Sequence, residues 1–377
     1  MKVTTAPGSM TTPSPNRMNR CLAVALLGFL TVLVSVPSFS KEEKIIPSET
    51  CRGLWIVPLT FGEQTLDVVL DTGAKATHLD PESLERLRGA PVEPGKKYTL
   101  RDGRIGPLRV NRIRVNAHDL DHLGRALGRD IDGILGMSTF HTVLLTLDYE
   151  KEEVRVEKGR LPRVDGRAIF RDAGSKRPML LVDVGGRKEK VLIDSGSSGQ
   201  FDLVPDERLD WAVEPRPVNG AARFRTIEID EVGRMAGSLR FGPATFEEPI
   251  VERADRISLA GYEALRHFVW TFDRKSKRMR IRPLSSEPIR MESRRGLGAA
   301  FSPLPEGFEV IQVFPDTPAE AAGLTQGDLV THQDGVPMGE RNCVGAAGDL
   351  GKESVRLTVR RGDATRDIDI AVSTLVP

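Results

Sequence analysis

Between residues 51 and 284 the chain is built from short apolar runs closed by turn residues. Val68-Val69-Leu70 and Val191-Leu192-Ile193 are two of them. Each is too short for a helix and runs straight into Asp, a small hydroxyl residue and Gly, which is how a strand meeting a tight turn reads. Helical periodicity appears only in brief stretches, so the pattern predicts a mainly β protein. One Asp-(Thr/Ser)-Gly is also what an ordinary turn needs. Here it occurs twice, in Val69-Leu70-Asp71-Thr72-Gly73-Ala74 and in Leu192-Ile193-Asp194-Ser195-Gly196-Ser197.

The surroundings repeat as well. Val57 through Gly73 lies on Leu180 through Gly196 without a gap, which puts the turn glycine Gly62 on Gly185. Downstream, Ile134-Leu135-Gly136 lies on Leu259-Ala260-Gly261, and Thr146-Leu147-Asp148 lies on Thr271-Phe272-Asp273. The Asp-to-Gly separations are 65 residues from Asp71 to Gly136 and 67 from Asp194 to Gly261. The chain therefore carries an internal duplication whose copies differ in loop length by two.

This ensemble resembles the retropepsin-like branch of the aspartic protease superfamily, over about residues 51 to 284. The resemblance implies two duplicated β-lobes, 41–160 and 161–284, forming one acid-protease unit around a cleft. It makes Asp71 and Asp194 the catalytic pair. Two carboxylates held about 3 Å apart cannot both ionise, so they share one proton and offer a base and an acid together. The charged member would activate a water and the protonated one would hydrogen-bond the scissile carbonyl, with no cofactor and no metal. Gly136 and Gly261 would let a strand pass close beneath the Asp loops. Thr72 and Ser195 would hydrogen-bond across the loops, and Gly73 and Gly196 are expected at positive φ. Ser197, with Ala74 at the matching place, would either donate to Asp194 and favour its charged form or bond only to loop backbone. Both copies lie on one chain, so a monomer suffices for catalysis. The substrate-covering flap is expected at the hairpin from Tyr98 through Arg101-Asp102-Gly103-Arg104-Ile105-Gly106, with a plain surface turn as the alternative. Lys75 is expected in solvent.

Past Pro283, Ser285-Ser286-Glu287-Pro288 reads as a linker. A restart follows at Gly296-Leu297-Gly298-Ala299, then the strand Glu309 to Phe314, then Pro318 to Leu324, then Gly327-Asp328-Leu329-Val330. This order resembles a bacterial-type PDZ domain, small and α+β, over 285–377. The resemblance implies that Gly296, Leu297, Gly298 and Ala299 form the loop that catches a peptide carboxylate while the tail adds as a strand. Gly345, Gly348 and Gly351 thin the helix that should wall that groove.

Composition narrows the partners. In 377 residues, 54 basic and 53 acidic side chains give a net charge of +1, so no long-range field favours nucleic acid or an acidic membrane. Arg17 and Arg20 precede the apolar run Leu22 to Val36, and Ser38-Phe39-Ser40 offers a cleavage site. Residues 1–40 thus read as a signal peptide, giving a periplasmic or secreted protein with no membrane span once mature; an uncleaved anchor is the alternative. Beyond residue 40 only Cys51 and Cys343 remain. They either pair or stand as one buried and one free thiol, the latter being the plainer reading. His118 and His122 sit in a polar stretch without cysteine partners and read as solvated loop. The chemistry expected is hydrolysis of a peptide or protein substrate by an exported aspartic endopeptidase. The alternative is a catalytically inactive periplasmic module that binds peptides or envelope proteins.

Overall fold

A computed structural model of the protein describes residues 43–206, 209–223, 226–340, 343 and 351–377. The signal-peptide reading of 1–40 lies outside them, as do Gly345 and Gly348. The molecule is mainly β with barrel-like sheets. No helix among the described residues is long and apolar enough to cross a membrane.

In the first lobe, Leu54–Phe61 and Gln64–Asp71 pair antiparallel. In the second, Met179–Val184 and Arg187–Ile193 do the same. The two hairpins turn at Gly62 (φ 57°) and Gly185 (φ 56°), a left-handed conformation that glycine adopts without strain. Val57 pairs with Val68 and Leu180 with Val191, so the registers match as the repeat predicts. Leu66, Val68 and Leu70 face the lobe core, while Val69 packs on the opposite side with Cys51, Leu54, Ile56 and Leu127. Burial on both faces is what makes these runs continuously apolar rather than alternating.

The hairpins extend into a seven-stranded sheet in the first lobe and a ten-stranded one in the second. A six-stranded sheet joins the lobes, with Leu144–Asp148 antiparallel to Phe268–Asp273 at its centre. Thr146 faces Thr271 there, their hydroxyls 3.0 Å apart, which marks a local two-fold axis. One continuous core runs through both lobes.

The C-terminal module has its own core, around Val310, Val330, Leu357 and Ile370. Its main sheet runs Ala299–Leu304, Gly307–Val313, Leu329–Gln333, Ser354–Arg361 and Ala364–Ala371, with Ala299–Leu304 at one edge. Its last strand, Ser373–Val376, pairs with Arg294–Gly296 and lends Leu375 and Val376 to the core of the lobes. Cys51 and Cys343 form a disulfide with Cα atoms 5.1 Å apart, which corrects the plainer reading of two separate thiols. That reading failed because nothing in a sequence shows that a residue 292 positions away folds back onto the first lobe.

Candidate active site

Asp71 ends the Gln64–Asp71 strand, which runs parallel to Gly133–Gly136 with Asp71 opposite Gly136. Arg187–Ile193 runs parallel to Leu259–Ala260 in the same way, and the Asp194 N–H donates to the Ala260 carbonyl at 3.0 Å. A Cβ on Gly136 would meet the Ala76 carbonyl oxygen at 2.5 Å, and one on Gly261 the Gly199 carbonyl oxygen at 2.6 Å. Only glycine lets the crossing strand lie this close to each Asp loop.

The two loops then grip each other. The Thr72 N–H donates to Ser195 Oγ and the Ser195 N–H to Thr72 Oγ1, both at 3.0 Å. Thr72 Oγ1 donates to the Ile193 carbonyl at 2.6 Å and Ser195 Oγ to the Leu70 carbonyl at 2.8 Å. Both residues are buried, so these four bonds are shielded from water and hold the loops in one arrangement.

The grip brings the Asp71 and Asp194 carboxyls into hydrogen-bonding contact. Each also accepts a loop N–H: Ala74 N–H to Asp71 Oδ1 at 2.8 Å, and Gly196 N–H to Asp194 Oδ1 at 2.9 Å. Gly73 and Gly196 are not at positive φ, contrary to expectation. Their reason is space: a Cβ on Gly73 would overlap the carboxyl of Asp194, and one on Gly196 that of Asp71. The glycines permit the carboxyls to meet.

Burial raises both carboxyls, and Asp71 goes furthest because the Asp194 charge adds to it. Burial likewise raises Asp194, but the Gly196 N–H, the bond with Asp71, and the positive charges of Arg177 and Arg223 pull it back. Of the two, Asp71 is the member held higher, and the pair shares its proton. Ser197 Oγ accepts the Gly199 N–H at 3.2 Å, the backbone alternative, and the positive charges of Arg177 and Arg223 are instead among the influences that lower Asp194.

Neither arginine was visible as a site residue from the sequence. Arg177 Nη1 reaches across the lobes to the Gly73 carbonyl at 3.3 Å. Its loop is fixed by the buried Asp172–Arg274 ion pair, with Asp172 also accepting the Gly174 and Met179 N–H groups. The first copy has Leu54 at the matching place, so this charge stands on one side only. Arg223 ion-pairs with Glu252 and Asp230, beside the buried Asp202. Asp230 is pushed up to about 8, mainly by burial and then by the Glu252 charge.

The flap expectation is corrected. The 97–117 hairpin pairs along Leu54–Phe61, with Gly103 opposite Phe61 and the Gly106 turn against Pro47. That end of the sheet lies seven residues along the strand from Asp71, roughly 23 Å. The hairpin that reaches between the lobes is Trp211–Ala222 with Ile227–Met235. Where it turns, the Arg223 carbonyl accepts a hydrogen bond from His122 Nε2 of the first lobe at 2.8 Å. His122 is therefore an interlobe contact rather than solvated loop. Lys75 is exposed. The carboxylates that converge among the described residues outside the site, those of Asp80, Asp119 and Asp121, act in part as turn and helix caps.

Gly296, Leu297, Gly298 and Ala299 are all buried, and Gly298 takes a positive φ of 83°. The Gly298 carbonyl accepts the Thr317 hydroxyl and the Phe314 N–H.

Residues 57–139 match the aspartyl protease family model, and residues 295–372 match the PDZ domain model. The comparison with curated proteins finds no match. The first match covers the Asp71 copy; the Asp194 copy rests on the shared registers and the reciprocal loop bonds described above. The chain carries a retropepsin-like aspartyl protease domain followed by a C-terminal PDZ domain.

Proposed function

We propose that the protein is an exported aspartic endopeptidase in which both catalytic carboxyls come from one chain. Asp194, as the carboxylate, takes a proton from a water lying between the two groups. Asp71, as the acid, donates to the scissile carbonyl oxygen as the water attacks, giving a tetrahedral diol without a covalent intermediate. Collapse returns one proton to the pair and one to the leaving amine. The observation that carries this reading is the reciprocal packing of Gly73 on Asp194 and Gly196 on Asp71. A turn that merely used Asp as a cap would have no need of it.

A peptide substrate in extended form fits a cleft between two β-lobes, and the PDZ domain adds a second peptide-binding element. Export rests on the charged and apolar pattern of residues 1–40, and the Cys51–Cys343 disulfide is in keeping with an oxidising compartment. Incubation with unfolded casein, with and without pepstatin, tests the activity. Cleavage that pepstatin blocks and that Asp71→Asn abolishes is expected. A folded protein that binds casein without cutting it would leave the non-catalytic binding module as the reading.

A further inference from the structure

Ala299–Leu304 is the edge strand that follows the carboxylate loop, the place where a tail peptide adds to a PDZ sheet. It is not open. It lies between the Asp121–Leu127 helix of the first lobe and the Trp211–Ala222 strand of the second. Ala300 is fully buried, and a Cβ on Gly220 would come within 3.0 Å of the Ala300 Cβ. Arg294 Nη2 donates to Asn219 Oδ1 at 2.9 Å, and Arg216 bonds the Leu375 carbonyl. On the helix side, the Cys343 N–H donates to the Gly128 carbonyl at 3.3 Å, next to the disulfide.

The same Trp211–Ala222 strand leads to Arg223, whose carbonyl meets His122 across the lobes and whose guanidinium acts on Asp194. One hairpin is thus held at two places: against the PDZ edge strand, and across the interlobe boundary by His122. From this shared hairpin we infer that a peptide with a free C-terminal carboxylate is an activator of the enzyme: by taking the Ala299–Leu304 edge it releases the Trp211–Met235 hairpin and opens the cleft. The inference rests on the protease reading and adds to it a ligand that is not the substrate. Linkage makes the effect reciprocal, since whatever frees the hairpin must also tighten the peptide.

The test uses the full chain and a quenched fluorogenic substrate blocked at both ends, so that the substrate itself offers no carboxylate. An apolar octapeptide with a free C-terminus is expected to raise kcat/KM between about 5- and 150-fold, the usual span of coupling between sites. The same octapeptide amidated at its C-terminus should do nothing. Gly220→Leu, which wedges a side chain against Ala300, and Arg294→Ala, which removes the bond to Asn219, should both raise basal turnover and tighten the octapeptide. A second readout is independent of catalysis: amide hydrogen exchange in Trp211–Ala222 should speed up when the free-acid peptide is saturating. Octapeptide binding that leaves this exchange unchanged overturns the inference, as does no binding, or equal effects of acid and amide. If every substrate goes uncut while exchange still responds, the protease reading fails and the coupling stands.

Discussion

At the residue scale the site is defined by what it leaves out as much as by what it contains. Gly73 and Gly196 matter because a side chain there would occupy the other lobe's carboxyl. Asp71→Asn or Asp194→Asn should lower casein cleavage about 10³-fold or more, since each removes half of a proton-sharing pair. Asp71→Asn should also raise the melting temperature at pH 7. The Asp71 carboxyl is raised in the folded protein, so its contribution to stability is complete below the ordinary carboxylate range and fades as pH rises through the folded value. Asn has nothing to lose there, and the gain over wild type should shrink toward pH 4. A second prediction separates the causes of the asymmetry. Arg177→Met removes a positive charge that lowers Asp194, so the acidic limb of the pH–rate profile should move to higher pH. Ser197→Ala should leave that limb in place, because the hydroxyl serves the Gly199 N–H.

At the element scale, Gly136→Ala and Gly261→Ala should each cost about 1 to 3 kcal/mol in denaturant melts, because a Cβ would press on a backbone carbonyl that cannot move alone. Features that demand one residue type at one place were legible in the sequence: the Gly62 and Gly185 turns, the crossing glycines, the Thr72 and Ser195 hydroxyls. The hairpin at the interlobe boundary was not. Asp-to-Gly separations of 65 and 67 residues hide different contents. The first copy spends its length on the Pro81–Arg88 and Asp121–Leu127 helices, the second on Trp211–Met235. Near-equal spacing showed the duplication and concealed where the copies part. Arg177 and Arg223 were hidden for a related reason: in a chain with 54 basic residues, only tertiary placement distinguishes two of them.

For the whole molecule, the PDZ domain is bound into the two β-lobes rather than hung from them. A tether would let deletion of residues 285–377 spare the cleavage of short peptides. Leu375 and Val376 sit in the lobe core, however, so the deletion should reduce cleavage of short peptides and proteins alike and lower the melting temperature. Cys51→Ser should cost about 2 to 5 kcal/mol, seen as a melting difference from wild type that reductant erases.

The hairpin that stands on one side of the two-fold axis through Thr146 and Thr271 has one more consequence. A polypeptide has a direction, and a cleft made of two equal halves would accept it either way round. Here one half brings a long arm and a fixed guanidinium at Arg177, while the other brings Leu54 and a helix. The two orientations of a substrate are no longer equivalent, so sequence preference in the cleaved products should fall mainly on one side of the broken bond.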